Sequence, residues 1–381
     1  MTVLNKEILL AEDMCIPIEY SSGTCRDAVL EKIEKYINLL KKNNVSSDIV
    51  DRVKEFLKNI DTMYSEYYLG HQTLAHDAFM SSIKSLVGNN LVTADLPKES
   101  FYRARVNSNN TDFKNEEMFH IKYELRGKVA TQRFSFPGLP CLYLGASSYV
   151  CWLEINRPAI EQFQVALIKQ KDSKIYRVID LSIHPRNLYK NLDKEDYQGE
   201  LLSYLTWWPM VAMCSVVVKN EKDPFKPEYI FPQYLLQYLL EGCADDDIIG
   251  IRYMSIQAGK ISVEQYEEDY RTYTNYVFPI TGHECNEKGF CPVLSKRFEI
   301  IKNYSGKELQ ILSDAIRRSY VVKYSETVDK IPNSLEDAQL YSTNSSPFPY
   351  SKTVFRRIET ILNQKDNSPF YSNDIILNVI K

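Results

Sequence analysis

The chain has 381 residues, 44% of them apolar and 25% charged, with a net charge of −4. That balance is the balance of a globular protein, and without a basic excess it excludes a broad electrostatic field for nucleic acid. Glycine is scarce, and neither GxGxxG nor GxxxxGK[ST] occurs, which excludes a glycine-rich phosphate loop.

Taken in order, the N-terminus "MTVLNKEILLAEDMC" carries acids inside its apolar part and has no small-residue cleavage site. It does not read as a signal peptide. "CRDAVLEKIEKYINLLKKNN" places Val29, Ile33, Tyr36, Ile37 and Leu40 on one helical face, with Asn43 and Asn44 stopping it. "SSDIVDRVKEFLKNI" offers Ser47 as N-cap and a stripe of Val50, Val53, Leu57 and Ile60. The short turn between them predicts antiparallel helices. A third helix, "HQTLAHDAFMSSIKSLVGNN", presents Leu74, Ala78, Phe79, Ile83 and Leu86 and closes at Gly88. His71 and His76 read as exposed helix-end histidines, since no arginine precedes either at catalytic spacing. "VTADLPKES" (92–100) reads as a linker.

From 101 to about 280 the texture becomes strand-rich: "FYRARV", "CLYLGA", "FQVALIK", "KIYRVIDLSI", "CSVVVKN", "DIIGIRYMS" and "NYVFPI". Helical text lies between them, around 194–208 and 227–242. After about 300 the chain reads as helical again, in "GKELQILSDAIRRSYVVKYSE". A polar loop "STNSSPFPYS" and a last helix "TVFRRIETILNQ" follow. The class is therefore α+β, with helical N- and C-terminal regions. The division predicted is 1–95, 96–300 and 301–381. No apolar run reaches the roughly 18–20 residues a bilayer span needs. Eight cysteines without framework spacing favour reduced thiols and a cytoplasmic setting. His283, Cys285 and Cys291 lack a CxxC pair and read as a loop with two thiols, so no metal is expected. Trp207 and Trp208 read as core or interface packing.

Five segments stand in one order: "FYRARV", "RFSFPGLPCLYLGASSYVCWLE", "KPEYIFPQYLLQYL", "IIGIRYMS" and "NYVFPI". Together, over about residues 98–285, they resemble the RES-domain family, named for an Arg, a Glu and a Ser. Its members include bacterial toxins that degrade NAD, with a fold related to ADP-ribosyltransferases of the diphtheria-toxin type. The resemblance puts the leading arginine on Arg103, with Arg105 as the alternative, and the second arginine on Arg133. It puts the tyrosine on Tyr143, the acid on Glu154 and the serine on Ser255. One departure is Gln132, where the family pattern has glycine.

The residue types suit that chemistry. Cleaving the N-glycosidic bond of NAD leaves positive charge on the ribose, which a carboxylate at Glu154 would stabilise. Ser147 or Ser148 would cap a short helix delivering it. Arginine forks at Arg103 and Arg133 match pyrophosphate oxygens. Tyr143 offers a ring face to nicotinamide, and Ser255 a hydroxyl to the ribose or carboxamide. Singly, each has a plainer reading: Arg133 as a surface arginine paired with Glu116 or Glu117, Tyr143 as strand packing, Glu154 as an exposed helix-end acid, Ser255 as a strand end.

The resemblance implies an NAD glycohydrolase, or an NAD phosphorylase with phosphate as co-substrate, and no bound cofactor. It implies a toxin or phage-defence effector held by a neutralising antitoxin protein, or restrained in cis by the extra terminal regions. No membrane or nucleic-acid partner is expected, and a homo-oligomer is compatible with the sequence. The competing readings are an ADP-ribosyltransferase acting on a macromolecule, and a catalytically silent nucleotide-sensing module.

Overall fold

The computed structural model describes residues 4–88, 91–98, 100–107, 111–192, 197–242, 247–257, 270–311 and 354–363. The fold is mixed α/β, with helices at both ends of the chain. It divides into two compact units, each assembled from separated stretches. The first holds Met1–Leu96, Arg126–Leu139 and Ile175–Ile256; the second holds Pro97–Leu125, Pro140–Lys174 and Gln257–Lys381.

The first unit is built on three helices, α1 (Cys25–Lys42), α2 (Ser47–Tyr68) and α3 (Gln72–Val87). Thr24 and Asp27 form a reciprocal capping box at the start of α1. Asn44 takes the left-handed backbone at its end, where Asn is tolerated. The α1 face read from spacing is the buried one: Val29, Ile33 and Tyr36 are fully inside, with Ile37 and Leu40. Three details differ from expectation. Ser46 rather than Ser47 is the N-cap of α2. Phe56 rather than Leu57 fills its stripe, because α2 runs on to Tyr68 and its inner face rotates accordingly. On α3, Ala75 is inside while Leu74 is exposed, the smaller residue fitting the closer approach. His71 is the exposed N-cap of α3, whereas His76 is half-buried within the helix, with its ring beside Tyr234 and Glu241.

Three strands complete this unit. β1 (Thr93–Asp95) lies in the stretch read as a linker; it pairs antiparallel with β5 (Arg177–Leu181), and three residues are too few to show alternation. β5 pairs parallel with β6 (Ile248–Met254). A parallel pair needs a long crossover, supplied here by α5 (Pro185–Asn191), α6 (Gln198–Cys214) and α7 (Ile230–Leu240). Trp207 and Trp208 on α6 are fully buried, and their indole N–H groups donate to the carbonyls of Asp180 and Met14. "CSVVVKN" is not a strand: the carbonyls of Cys214 and Val216 accept from Arg133 and join no ladder. Among the described residues, no helix is long and apolar enough to cross a membrane.

The second unit carries an antiparallel sheet. Its strands are β2 (Phe101–Val106), β3 (Cys141–Gly145), β4 (Phe163–Gln170), β7 (Thr274–Pro279) and β8 (Phe298–Tyr304), in the order β7-β3-β2-β4-β8. β8 runs into the start of the region read as helical, 301–381, while the helical text itself begins as expected, at residues 306–311. β8 is the outer strand beside β4, and its exposed Glu299 masks the apolar signal. Helices join them, among them α4 (Ser148–Glu154), α8 (Pro292–Arg297) and α9 (Val354–Asn363), the last as read from the sequence. The loop "STNSSPFPYS" and residues 312–326 of the helical text before it lie outside the described residues.

His120 in this unit is 1% exposed; Nδ1 faces the Ile121 carbonyl at 2.8 Å, and Nε2 accepts from the Cys291 N–H at 3.0 Å. The second bond needs an unprotonated Nε2 and so holds the neutral ring, whereas the first favours the protonated form. Burial pushes its pKa down to about 4, and the Arg103 charge adds to the effect. The folded value lies below the ordinary one of about 6.5, so the unfolded chain takes up the proton first. The stabilisation is complete above about pH 6.5 and is lost as pH falls towards 4, to a total of about 3 kcal/mol. Urea unfolding at pH 7 and pH 4.5 should show this loss, and His120→Gln should flatten it; equal slopes for the two proteins would remove His120 as the cause.

Candidate active site

The site is built where α4 follows β3. Ser147 is the N-cap, its hydroxyl accepting from the Val150 N–H at 2.9 Å and donating to the Thr272 carbonyl at 2.7 Å. Seven residues later the helix ends on Glu154, which is exposed. Tyr149, Val150, Cys151, Trp152 and Leu153 are all buried, so Glu154 is the polar end of an anchored apolar helix. The chain then turns through Asn156 and Arg157, both left-handed without being glycine.

Gly145 explains how α4 sits so close. A Cβ there would lie 2.6 Å from Cys151 Sγ and 2.6 Å from Val150 Cγ1. The helix therefore covers the sheet face to which that Cβ would point. Directly opposite residues of an antiparallel pair share a face, and alternate residues return to it. Tyr143 lies opposite Val277, and Gly145 opposite Asn275. Tyr143, Asn275 and α4 thus share one face. Asn275, 5% exposed, donates from Nδ2 to Glu154 Oε1 at 2.7 Å. That bond fixes the carboxylate's rotamer.

Arg103 enters from the neighbouring strand. β2 and β3 make a single pair, Tyr102 with Gly145, and then part. In the gap, Arg103 Nη1 donates to the Tyr143 carbonyl at 3.0 Å. Its Nε is buried and has no partner among the described residues. Burial lowers its pKa to about 10, with the neighbouring Arg105 charge adding. An unsatisfied guanidinium N–H in such a place is costly and is relieved by an anionic acceptor. Arg105, the alternative family arginine, is otherwise engaged: its guanidinium stacks on Phe113 and donates to the Glu117 carbonyl at 2.8 Å. Burial pushes the Cys151 thiol up to about 12; Glu154 raises it further and Arg103 opposes, so both charges are felt at that turn of α4.

Arg103, Tyr143 and Glu154 belong to the second unit, while Arg133 and Ser255 belong to the first. Arg133 is not a surface arginine in an ion pair but is bonded within its own unit. Its Nη1 donates to the carbonyls of Cys214 (3.2 Å) and Val216 (2.9 Å), with the Tyr229 ring beneath its guanidinium at 5.1 Å. Ser255 is buried just beyond β6. Cys285 is exposed, and the Cys291 thiol is buried against the Thr281 carbonyl. Sequence reasoning missed Asn275. The available signal was an amide inside the apolar run "NYVFPI", since a buried polar side chain needs a partner.

No family model matches the chain, and no solved structure matches it. A curated protein of Bacillus subtilis (strain 168) named "Putative toxin YopC" is 30% identical over 371 residues. The match covers 92% of this chain and 78% of that protein.

Proposed function

We propose that this chain, which belongs to the family of the Bacillus subtilis protein named "Putative toxin YopC", is a toxin that cleaves the nicotinamide N-glycosidic bond of NAD. One observation carries the reading. A single exposed carboxylate, Glu154, is locked by Asn275 on the sheet face it shares with Tyr143, and the Tyr143 carbonyl accepts from Arg103, whose buried Nε has no partner among the described residues. The ordered RES-like segments support the same chemistry, and with it an ADP-ribosyltransferase-related fold.

In that chemistry the bond from ribose C1′ to nicotinamide breaks with its electron pair leaving on the ring nitrogen. Positive charge then spreads over C1′ and the ribose oxygen. Glu154 stabilises this charge, held in place before the reaction begins. Arg103 supplies its Nε–H to a pyrophosphate oxygen. Tyr143 offers an aromatic surface to the departing ring. A water, or the oxygen of a phosphate, completes the reaction at C1′ and releases its proton.

The test is incubation of the purified full-length chain with NAD, with and without phosphate, and mass analysis of products and protein. Nicotinamide with ADP-ribose marks hydrolysis, and ADP-ribose-1-phosphate marks phosphorolysis. A mass gain on protein or nucleic acid marks transfer and would replace this reading. Intact NAD would reject it.

A further inference from the structure

One buried carboxylate has no part in the chemistry above. Glu359, on α9, is 1% exposed. Its Oε1 accepts from the Ser148 backbone N–H at 2.6 Å and from the Ser148 hydroxyl at 3.0 Å. Arg356, one turn earlier, lies 3.5 Å from Oε2. Burying a carboxylate is costly unless donors are aimed at it. Both of these donors come from the first residue of α4, the helix that ends on Glu154.

The rest of α9 fastens the same place. Phe355 is fully buried, with its ring centroid 5.0 Å from Tyr149 and 5.4 Å from Trp152. Ile358 and Leu362 are buried beside it. At the far end, Asn363 donates to the Tyr102 hydroxyl at 2.9 Å, on β2. A helix of seven residues has no stability of its own, so contacts decide where α4 lies. Its first N–H groups have no partner within the helix. Ser147 satisfies that of Val150, and Glu359 satisfies that of Ser148. The two turns of α4 then transmit that anchorage to Glu154.

We propose that Glu359 is a positioning residue for Glu154, acting through the N-terminus of α4, and that α9 thereby serves the site; this rests on the NAD-cleaving reading. A carboxylate displaced by about 1 Å loses about a hundredfold in rate where geometry governs the step. Binding of NAD should change little, since Arg103 is held by the Tyr143 carbonyl and not by α4.

The experiment compares the full-length wild type with Glu359→Ala, Glu359→Gln and Glu154→Gln. Nicotinamide release is measured across NAD concentrations, with hydrogen exchange of the amides at 148–150. For Glu359→Ala, kcat should fall about ten- to a hundredfold with KM within about threefold. Exchange at 148–150 should rise. Glu359→Gln keeps an oxygen acceptor towards Ser148 and should return kcat to within about threefold of wild type. Should the alanine variant not fold, Glu359→Asp takes its place: it withdraws the acceptor by one methylene, and the same fall in kcat is expected. Wild-type kcat in the alanine or aspartate variant, beside a Glu154→Gln that has lost turnover, would overturn the positioning role and leave the NAD reading standing. A proportional loss in kcat and KM that Gln does not rescue would make Glu359 structural only. Undiminished turnover in Glu154→Gln would overturn the NAD reading itself, and with it the role assigned to Glu359.

Discussion

Glu154→Gln is expected to lower nicotinamide release at saturating NAD by about 10²–10³-fold, with KM for NAD changed far less. Glutamine keeps the length of the side chain and the oxygen that accepts from Asn275. What it loses is the negative charge. A neutral amide cannot balance the charge that grows on the ribose as the glycosidic bond breaks, so the loss falls on the chemical step. Stability should scarcely move, because Glu154 is exposed at the end of α4 and substitutions at such positions are usually worth little. The plainer reading, an acid that merely ends a helix, predicts turnover within about threefold of wild type. Circular dichroism and a urea midpoint on the same preparation separate a catalytic loss from a folding one.

Asp180→Ala should give the largest loss of stability. Asp180 on β5 is 2% exposed and lies directly across from Arg252 on β6. Arg252 Nε donates to Oδ1 at 3.0 Å, and Nη2 pairs with Oδ2. The Ser182 N–H and hydroxyl also donate to Oδ1, at 2.9 and 2.7 Å. Removing the carboxylate withdraws its acceptors from four donors at once and takes the counter-charge from a largely buried guanidinium. Breaking a buried pair from one side costs about 3–5 kcal/mol. The double replacement Asp180→Leu with Arg252→Leu should cost clearly less than the sum of the single changes, because it leaves no orphan charge. Urea unfolding of the single and double variants measures this. A loss under about 1 kcal/mol for Asp180→Ala would show the pair to be well solvated.

How much of this was legible follows from which signals are local. The α1 face could be read because Val29, Ile33, Tyr36, Ile37 and Leu40 repeat at helical spacing and all turn inward. The cap at Ser147 and the delivery of Glu154 were legible because both lie within one short segment. β1 was hidden by its three-residue length, and β8 by the polar face of an outer strand. "CSVVVKN" has strand composition, but a distant side chain, Arg133, takes its carbonyls. The partners of the candidate site were the least legible. Asn275 is 121 residues from Glu154 and Glu359 is 211 residues from Ser148, so no spacing rule connects them. The sheet and the helix docking bring them together. The same holds for Arg103, whose contact with the Tyr143 carbonyl depends on two strands parting after one pair.

The most direct measurement is nicotinamide release from NAD by the purified full-length chain, run beside Glu154→Gln on protein shown to be folded. Steady release by the wild type, balanced by ADP-ribose or its 1-phosphate, is expected, with a loss of about 10²–10³-fold in the variant. Intact NAD with the wild type, or equal release by both proteins, would contradict this.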